Sequence, residues 1–154
     1  MKRILVCLDA SQRAPHVLAT ALDLAQRIGA KLRLFRAVGL PPELPTQYLL
    51  SADTLADTLV ENAKKELREL SRDVPPDLLD GICTRIGSPW DAICTAAREH
   101  DADLLVIGSH GYGAIDRLLG TTAAKVVNHA DRSVLIVRPK GAAAENSHAA
   151  PNPR

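Results

Sequence analysis

The fold of this chain is decided by Leu104-Leu105-Val106-Ile107-Gly108-Ser109-His110-Gly111-Tyr112-Gly113. The continuous apolar half of this stretch is typical of a strand that is covered on both faces. Its glycines let the main chain approach a ligand without interference from Cβ atoms. Gly120-Thr121-Thr122 then precede a helical run, whose first N–H groups lack partners and suit phosphate oxygens. The stretch predicts a phosphate-binding loop; the alternative is a turn that only joins a strand to a helix.

Strand and helix patterns alternate along the whole chain. The predicted strands are residues 3–8, 31–38, 82–86, 103–107 and 133–138. The predicted helices are residues 14–28, residues 55–70, a segment opened by Ser88-Pro89, and a segment that contains Ala123 and Ala130. Five strands with helices between them require right-handed parallel crossovers, and therefore a doubly wound α/β fold with a parallel sheet.

Local signals set the predicted ends of these elements. Ser11 is expected to cap the first helix and Gly29 to end it. Ser88 is expected to be the N-cap of the third helix, with Asp91 at the reciprocal capping position. The segment from residue 39 to about residue 52, which contains three prolines, is predicted to be a long loop.

Three strand ends are candidates for one shared site. In doubly wound sheets, ligands bind beyond the carboxyl ends of the strands, where the strand order reverses. Asp9 follows the first strand, Ala37 ends the second, and Gly108 ends the fourth. If the first and fourth strands are neighbours, Asp9 and the glycine loop face each other across one crevice. The alternative role for Asp9 is a carboxylate that forms a turn or caps a helix before Ser11.

Length and composition fit one folded domain. Of the 154 residues, 46% are hydrophobic, and we expect a domain over residues 1–140 and a disordered tail over residues 141–154. A net charge of +1 and an aromatic content of 3% disfavour a nucleic-acid surface. No apolar run approaches the ~20 residues of a membrane helix. A cytoplasmic protein that binds neither membrane nor nucleic acid is expected.

Other site chemistries find little support in the sequence. The chain has no G-x-x-x-x-G-K-[ST] loop and no complete dinucleotide-binding fingerprint. Its three cysteines form neither a CxxC pair nor a zinc-ligand spacing, and Cys7 and Cys83 are predicted to be small buried hydrophobes. The five histidines form no paired metal-ligand spacing, and no general base for hydrolysis is evident. A binding or regulatory protein is therefore favoured over a fast enzyme.

The chain as a whole resembles the universal stress protein family over residues 2 to about 139. The matching features are Lys2-Arg3-Ile4-Leu5-Val6 leading to Asp9, Gly87-Ser88-Pro89 with Ile93, residues 102–111, residues 118–122, Val126-Val127, His129-Ala130 and residues 133–137. The resemblance implies an adenine nucleotide alpha hydrolase-like fold: a five-stranded parallel sheet in the order 3-2-1-4-5 with helices on both faces. It also implies a homodimer, and it leaves two branches open, one that binds ATP and one that lacks the nucleotide loop.

The ATP-binding branch of the family has a glycine pattern that this chain matches with a shorter spacer. The pattern is glycine, two residues, glycine, commonly nine residues, then glycine with serine or threonine. Gly108, Gly111 and Gly120-Thr121 match it, but the spacer is residues 112–119, which is eight residues. Either Thr121 or Thr122 could therefore meet the phosphates. The implied ligand is ATP or another adenine nucleotide, with Mg²⁺ as an optional companion of ATP.

The resemblance also implies roles for nine residues. Asp9 would accept a hydrogen bond from adenine or lie at the adenosine end of the crevice. The backbone near Cys7, Leu8 and Ala37 would frame the base. The main chain near Gly108 and Gly111 would meet ribose and phosphates, and Gly120, Thr121 and Thr122 would hold phosphate oxygens. A tenth candidate, His110, lies inside the glycine loop, where it would touch phosphate or order the loop.

The last strand is a candidate interface. In the implied order it lies at a sheet edge, yet Val134-Leu135-Ile136-Val137 carries none of the charges that usually protect an edge. We expect a homodimer through residues 133–138, and the alternative is shielding by helices or by the tail. The expected function is a stress-response protein that acts through adenine nucleotide binding. The alternatives are a nucleotide-dependent enzyme, either a slow ATP hydrolase or a phosphoryl or adenylyl transfer catalyst, and a nucleotide-free dimeric scaffold.

Overall fold

The five strands form one parallel sheet. The computed structural model describes residues 1–40, 49–109 and 119–138, and for residues 49–53 the backbone only. The elements in chain order are β1 (Arg3–Cys7), α1 (Ala14–Ile28), β2 (Lys31–Val38), α2 (Leu49–Ser71), β3 (Leu79–Ile86), α3 (Pro89–Glu99), β4 (Leu104–Gly108), α4 (Thr121–His129) and β5 (Ser133–Val137). The strand order is β3-β2-β1-β4-β5, which confirms the predicted doubly wound sheet.

The helices cover both faces of the sheet, as expected. One core contains apolar residues of α1 and α2, such as Leu18 and Leu67, which pack on one face. A second core contains residues of α3 and α4, such as Ile93 and Val126, which pack on the other. β1 lies in the middle and its residues from Ile4 to Cys7 are buried. The sequence showed this as an apolar run without alternation, because both faces of a central parallel strand are covered.

The pairing of β1 shows where the strand order of the sheet reverses. β1 pairs with β2 on one side and with β4 on the other, so that Cys7 lies between Phe35 and Ile107. The condition set by the sequence is therefore met: the first and fourth strands are neighbours, and the residues after them share one edge of the sheet. The predicted ligand-binding edge is the carboxyl edge of β1, β2 and β4.

Two predicted element starts are wrong. α2 begins at Leu49, within the segment predicted as a loop up to about residue 52, because no Pro or Gly lies between Pro45 and Pro75 to stop a helix. Residues 41–48 lie outside the described residues. β3 begins at Leu79 rather than at Ile82, and the register shifts between Leu32 and Arg33 in the β2–β3 pair. That irregularity hides the first residues of β3 from a search for strict alternation.

The helix ends confirm one capping prediction and correct two. Gly29 ends α1 in the left-handed region, with φ 67° and ψ 37°, as predicted. Ser11 does not cap α1: the N-cap is Arg13, without a side-chain cap, and Ser11 forms the preceding turn, where its carbonyl accepts from the Ala14 N–H at 3.1 Å. Ser88 is the N-cap of α3, but its side chain makes no capping hydrogen bond, so the predicted reciprocal cap is wrong. The proline at the start of α3 already sets the first turn.

The cysteines behave largely as small hydrophobes. Cys7 and Cys94 are buried and Cys83 is half-buried, and all three are free thiols. Burial raises the pKa of the Cys7 thiol far above its usual range. Over the described residues, none of the helices combines the length and the apolarity that crossing a lipid bilayer demands. Residues 139–154, which include the predicted tail, lie outside the described residues.

Candidate functional site

A cavity of about 340 Å³ opens at the carboxyl edge of β1, β2 and β4. Its size lies at the small end of the range for pockets that bind small molecules. Its lining residues are Cys7, Leu8, Asp9, Ser11, Arg13, Ala14, His16, Val17, Phe35, Ala37, Pro89, Ile93, Ile107, Gly108, Ser109, Gly120, Thr121, Thr122, Ala123 and Val137. The crevice predicted from the strand ends is therefore a formed cavity between the sheet edge and the starts of α1, α3 and α4.

Most of the residues singled out in the sequence lie together in this cavity. Eight of the ten line it: Cys7, Leu8, Asp9, Ala37, Gly108, Gly120, Thr121 and Thr122. His110 and Gly111 lie outside the described residues. Residues distant in the sequence thus meet at one place, because parallel strands deliver their carboxyl ends to the same edge.

Asp9 is held at the cavity rim by a tight turn. Its Oδ1 accepts hydrogen bonds from the Ser11 N–H at 3.0 Å and from the Ser11 hydroxyl at 2.5 Å. The turn-forming role considered for this carboxylate is therefore real, but it uses one oxygen. Within the described part of the chain, no group donates to Oδ2 of Asp9. One carboxylate can thus order the β1–α1 turn and also present an acceptor to the cavity.

Gly108, at the end of β4, lies close to Val17 of α1. A Cβ atom built on it would lie 3.3 Å from Cγ2 of Val17, which is tighter than an ordinary van der Waals contact. The chain then continues through Ser109, whose N–H donates to the Val137 carbonyl at 2.9 Å. The Ser109 carbonyl in turn accepts from the Gly120 N–H at 2.8 Å. This bond joins the two ends of the predicted phosphate loop, next to the start of α4.

The start of α4 supplies backbone hydrogen-bond donors to the cavity. Gly120 is the N-cap residue, and within the described part of the chain the helix start has no side-chain cap. Thr121 and Thr122 follow as the first helical residues, and both line the cavity. The first N–H groups of a helix have no intrahelical acceptors, and the helix dipole favours an anion at this end. This arrangement is suited to phosphate or another small anion.

Part of the cavity wall is apolar. Cys7, Phe35, Ile93 and Ile107 are buried and line it, with Ala37 beside them. Phe35 is the one phenylalanine of the chain. An apolar wall in the same cavity as a set of N–H donors matches a ligand that joins a flat, weakly polar group to a negatively charged one.

Sequence reasoning missed the wall formed by the start of α1 and the turn before it. Ser11, Arg13, His16 and Val17 line the cavity, although none was predicted as a site residue. The available signal was topological, because a helix that follows a parallel strand begins at the carboxyl edge of the sheet. His16 also contacts the Arg138 carbonyl through Nε2 at 3.2 Å, which ties the start of α1 to the chain after β5.

No metal centre is visible in residues 1–40, 49–109 and 119–138, where no group of three or more His, Cys, Asp or Glu side chains could hold an ion. The Trp90 ring packs against the His129 ring, with centroids 4.6 Å apart, and links the start of α3 to the end of α4.

Comparison with known proteins identifies relatives over almost the whole chain. The model of the universal stress protein family matches residues 1–138. Universal stress protein A homolog 2 of Coxiella burnetii is 32% identical over 142 residues, which cover 91% of this chain and 97% of that protein.

Solved structures of similar proteins share the fold. Universal stress protein UspA from Lactobacillus plantarum has a TM-score of 0.76 and 27% identity, covering 89% of this chain and 97% of its own. A universal stress protein solved in complex with cAMP has a TM-score of 0.58 and 25% identity, covering 89% of this chain and 96% of its own. The matched family model spans the whole described sheet and its helices. The chain belongs to the universal stress protein family.

Proposed function

We propose that this protein binds an adenine nucleotide in the cavity at the carboxyl edge of the sheet. The observation that carries the proposal is the meeting of Asp9, Gly108 and the uncapped start of α4 around one cavity of about 340 Å³. A carboxylate acceptor, a close approach of the main chain and a set of N–H donors are what an adenosine phosphate needs.

In this proposal the base lies against the apolar part of the cavity wall, which forms the adenosine end of the site. The backbone of Cys7, Leu8 and Ala37 frames the ring, and the Phe35 side chain packs beneath it. Asp9 accepts a hydrogen bond at the adenosine end through the oxygen that Ser11 leaves available. The support is the burial of this end, since a flat ring gains most from leaving water there.

The phosphates lie at the start of α4. Gly120, Thr121 and Thr122 donate to phosphate oxygens through N–H and hydroxyl groups, and Gly108, Gly111 and His110 complete the loop. The support is the uncapped helix end together with the Gly120–Ser109 hydrogen bond that brings the loop ends there. The complex of a related protein with cAMP is consistent with an adenine nucleotide as the ligand class.

The proposed role is regulatory. The protein acts in a stress response through nucleotide occupancy, in the cytoplasm and as a homodimer paired through β5. The dimer is supported by the apolar edge strand, whose residues 134–136 are only half-buried in the single chain. ATP with Mg²⁺ is one form that the nucleotide can take.

Calorimetric titration of the purified protein with ATP, AMP and cAMP tests the proposal. We expect binding, and we expect Asp9→Asn to weaken it about ten-fold or more, because hydrogen bonds to charged groups are the strong ones. Asp103→Asn is the matched control, since Asp103 is also an exposed carboxylate that accepts backbone N–H groups, but at the opposite edge of the sheet. Absence of binding to all three nucleotides at millimolar concentration would contradict the proposal.

A further inference from the structure

Arg36 is a buried arginine that lies behind the candidate site rather than in it. Its residue is only 8% exposed, and it is absent from the residues that line the cavity. It lies on β2 between Phe35 and Ala37, which both line the cavity. A buried arginine is expensive unless its donors are satisfied, so its contacts identify what it stabilises.

The guanidinium of Arg36 joins three groups. Its Nε donates to the Leu8 carbonyl at 3.2 Å, and its Nη2 donates to the Asp9 carbonyl at 2.9 Å. Its Nη1 forms an ion pair with the Glu66 carboxylate on α2. One side chain thus connects the end of β1, the rim of the cavity and the second helix.

These contacts take the place of the sheet's hydrogen bonds just beyond the end of β1. β1 stops at Cys7, and the Leu8 N–H makes the last bond of the ladder, to the Phe35 carbonyl at 2.9 Å. The next two carbonyls, of Leu8 and Asp9, have left the sheet and need other donors. The Arg36 guanidinium supplies both, and its planar fork fixes their relative orientation in a way that a lysine ammonium cannot.

We infer that Arg36 is a positioning residue for the nucleotide site, acting through Asp9, and that Glu66 orients it. Arg36 donates a hydrogen bond to the Asp9 carbonyl and so holds its backbone, while the Ser11 N–H donates to the Asp9 carboxylate and so holds its side chain. The two sets of bonds together aim the carboxylate at the cavity. This inference rests on the proposed function, because its main readout is the affinity for an adenine nucleotide.

The test uses Arg36→Lys, which keeps the charge and loses the fork, and Glu66→Gln, which keeps the size and loses the ion pair. Because the Glu66 side chain is half-exposed, we expect its substitution to leave the fold intact. We expect AMP to bind about five- to ten-fold more weakly to Arg36→Lys and about two- to five-fold more weakly to Glu66→Gln. Arg33→Lys is the matched control on β2, because Arg33 lies away from the cavity and forms an ion pair with Asp80 at 2.8 Å. The AMP affinity of this variant should stay within about two-fold of that of the wild type.

A double-mutant cycle separates positioning from general loss of structure. If Arg36 acts through Asp9, Arg36→Lys should change the AMP affinity by less than about two-fold in the Asp9→Asn background. Additive losses would overturn the inference, as would an unchanged affinity in Arg36→Lys alone.

A second readout needs no nucleotide. The Ser11 N–H donates to Asp9 Oδ1, so its hydrogen exchange in the ligand-free protein reports how firmly Asp9 is held. We expect Arg36→Lys to speed exchange of this amide several-fold and to leave the Ala30 amide, which is bonded to Ala25, unchanged. If the wild type binds no nucleotide, the proposed function fails while this measurement still decides the positioning role. Unchanged exchange at Ser11 would overturn that role.

Discussion

Gly108, at the end of β4, lies close to Val17 of α1, so it tests how tightly the edge of the cavity is packed. Gly108→Ala places a methyl group 3.3 Å from Cγ2 of Val17, and we expect the free energy of unfolding to fall by about 1 kcal/mol or more. Gly39→Ala is the control, because a Cβ there meets nothing within 4 Å. Urea denaturation of both variants measures the difference, and equal stabilities would contradict the packing described for Gly108.

Cys7 makes the stability depend on pH in the alkaline range. Because burial raises its pKa, the folded protein keeps the thiol protonated, whereas the unfolded chain releases this proton above about pH 8.5. The stability associated with the neutral thiol is complete below that pH and falls as the pH rises above it. We expect the wild type to lose about 1 kcal/mol relative to Cys7→Ala between pH 8.5 and 9.5, and the slope to approach about 1.4 kcal/mol per pH unit at higher pH. Chemical denaturation at several pH values measures this slope, and a constant difference between the two proteins would rule it out.

At the start of α4, one substitution is expected to raise the stability of the protein and to lower its affinity for a phosphate-bearing ligand. Thr121→Glu places a carboxylate at an uncapped helix start, where the dipole stabilises negative charge by about 0.3–1 kcal/mol. The same charge repels phosphate, so we expect affinity to fall most for ATP, less for AMP and little for adenosine. Thr121→Gln, which has the same shape without the charge, should bind ATP far better than Thr121→Glu. Equal ATP affinities for the two variants would show that the phosphates do not lie at α4.

Elements with clear chemical boundaries were predicted well from the sequence. β2 was predicted at residues 31–38 and is observed at Lys31–Val38, because Gly29 ends the helix before it and Gly39 with two prolines follows. β3 was predicted too short, because Gly81 lies at φ 137° beside the register shift and interrupts the alternation. A bulge depends on pairing between strands, and that information is not local in the sequence.

The residues in and around the candidate site also fall into those that the sequence could predict and one that it could not. Asp9, Gly108 and Thr121 could be predicted, because each stands directly after a strand or before a helix, where a residue pattern is visible. Arg36 could not, because it reads as an ordinary residue of an apolar strand. Its role arises from the meeting of β1, β2 and α2, which only the tertiary structure specifies.

At the scale of the whole molecule, the two edges of the sheet differ in chemistry. The amino edge is closed by polar contacts: Asp103 accepts from the N–H groups of Lys2 and Arg3, and Arg132 donates to the carbonyls of Ala97 and Ala102. The carboxyl edge is held open by the starts of three helices around the cavity. The proposed nucleotide site therefore lies at one end of the fold, where the parallel strands finish.

The two outer strands give the assembly prediction its internal control. The edge strand β5 presents Val134, Leu135 and Ile136 half-buried, and among the described residues no further strand pairs with its outer side. Such an edge pairs readily with a second copy about a two-fold axis. We expect the wild type to sediment at twice the 16.5 kDa mass of the chain. Val134→Lys should shift it to the monomer mass, because a charge on β5 would have to be buried in the pair.

Ile86→Lys places the same charge on β3, the opposite edge, at a residue that is 43% exposed. Its mass in sedimentation equilibrium should remain that of the wild-type dimer. If both lysine variants stay dimeric, the copies pair through another surface. A dimer paired through β5 would have to bury the lysine of Val134→Lys, and that charge would separate the two strands. If the wild type itself has the monomer mass at micromolar concentration, β5 is not an interface between copies.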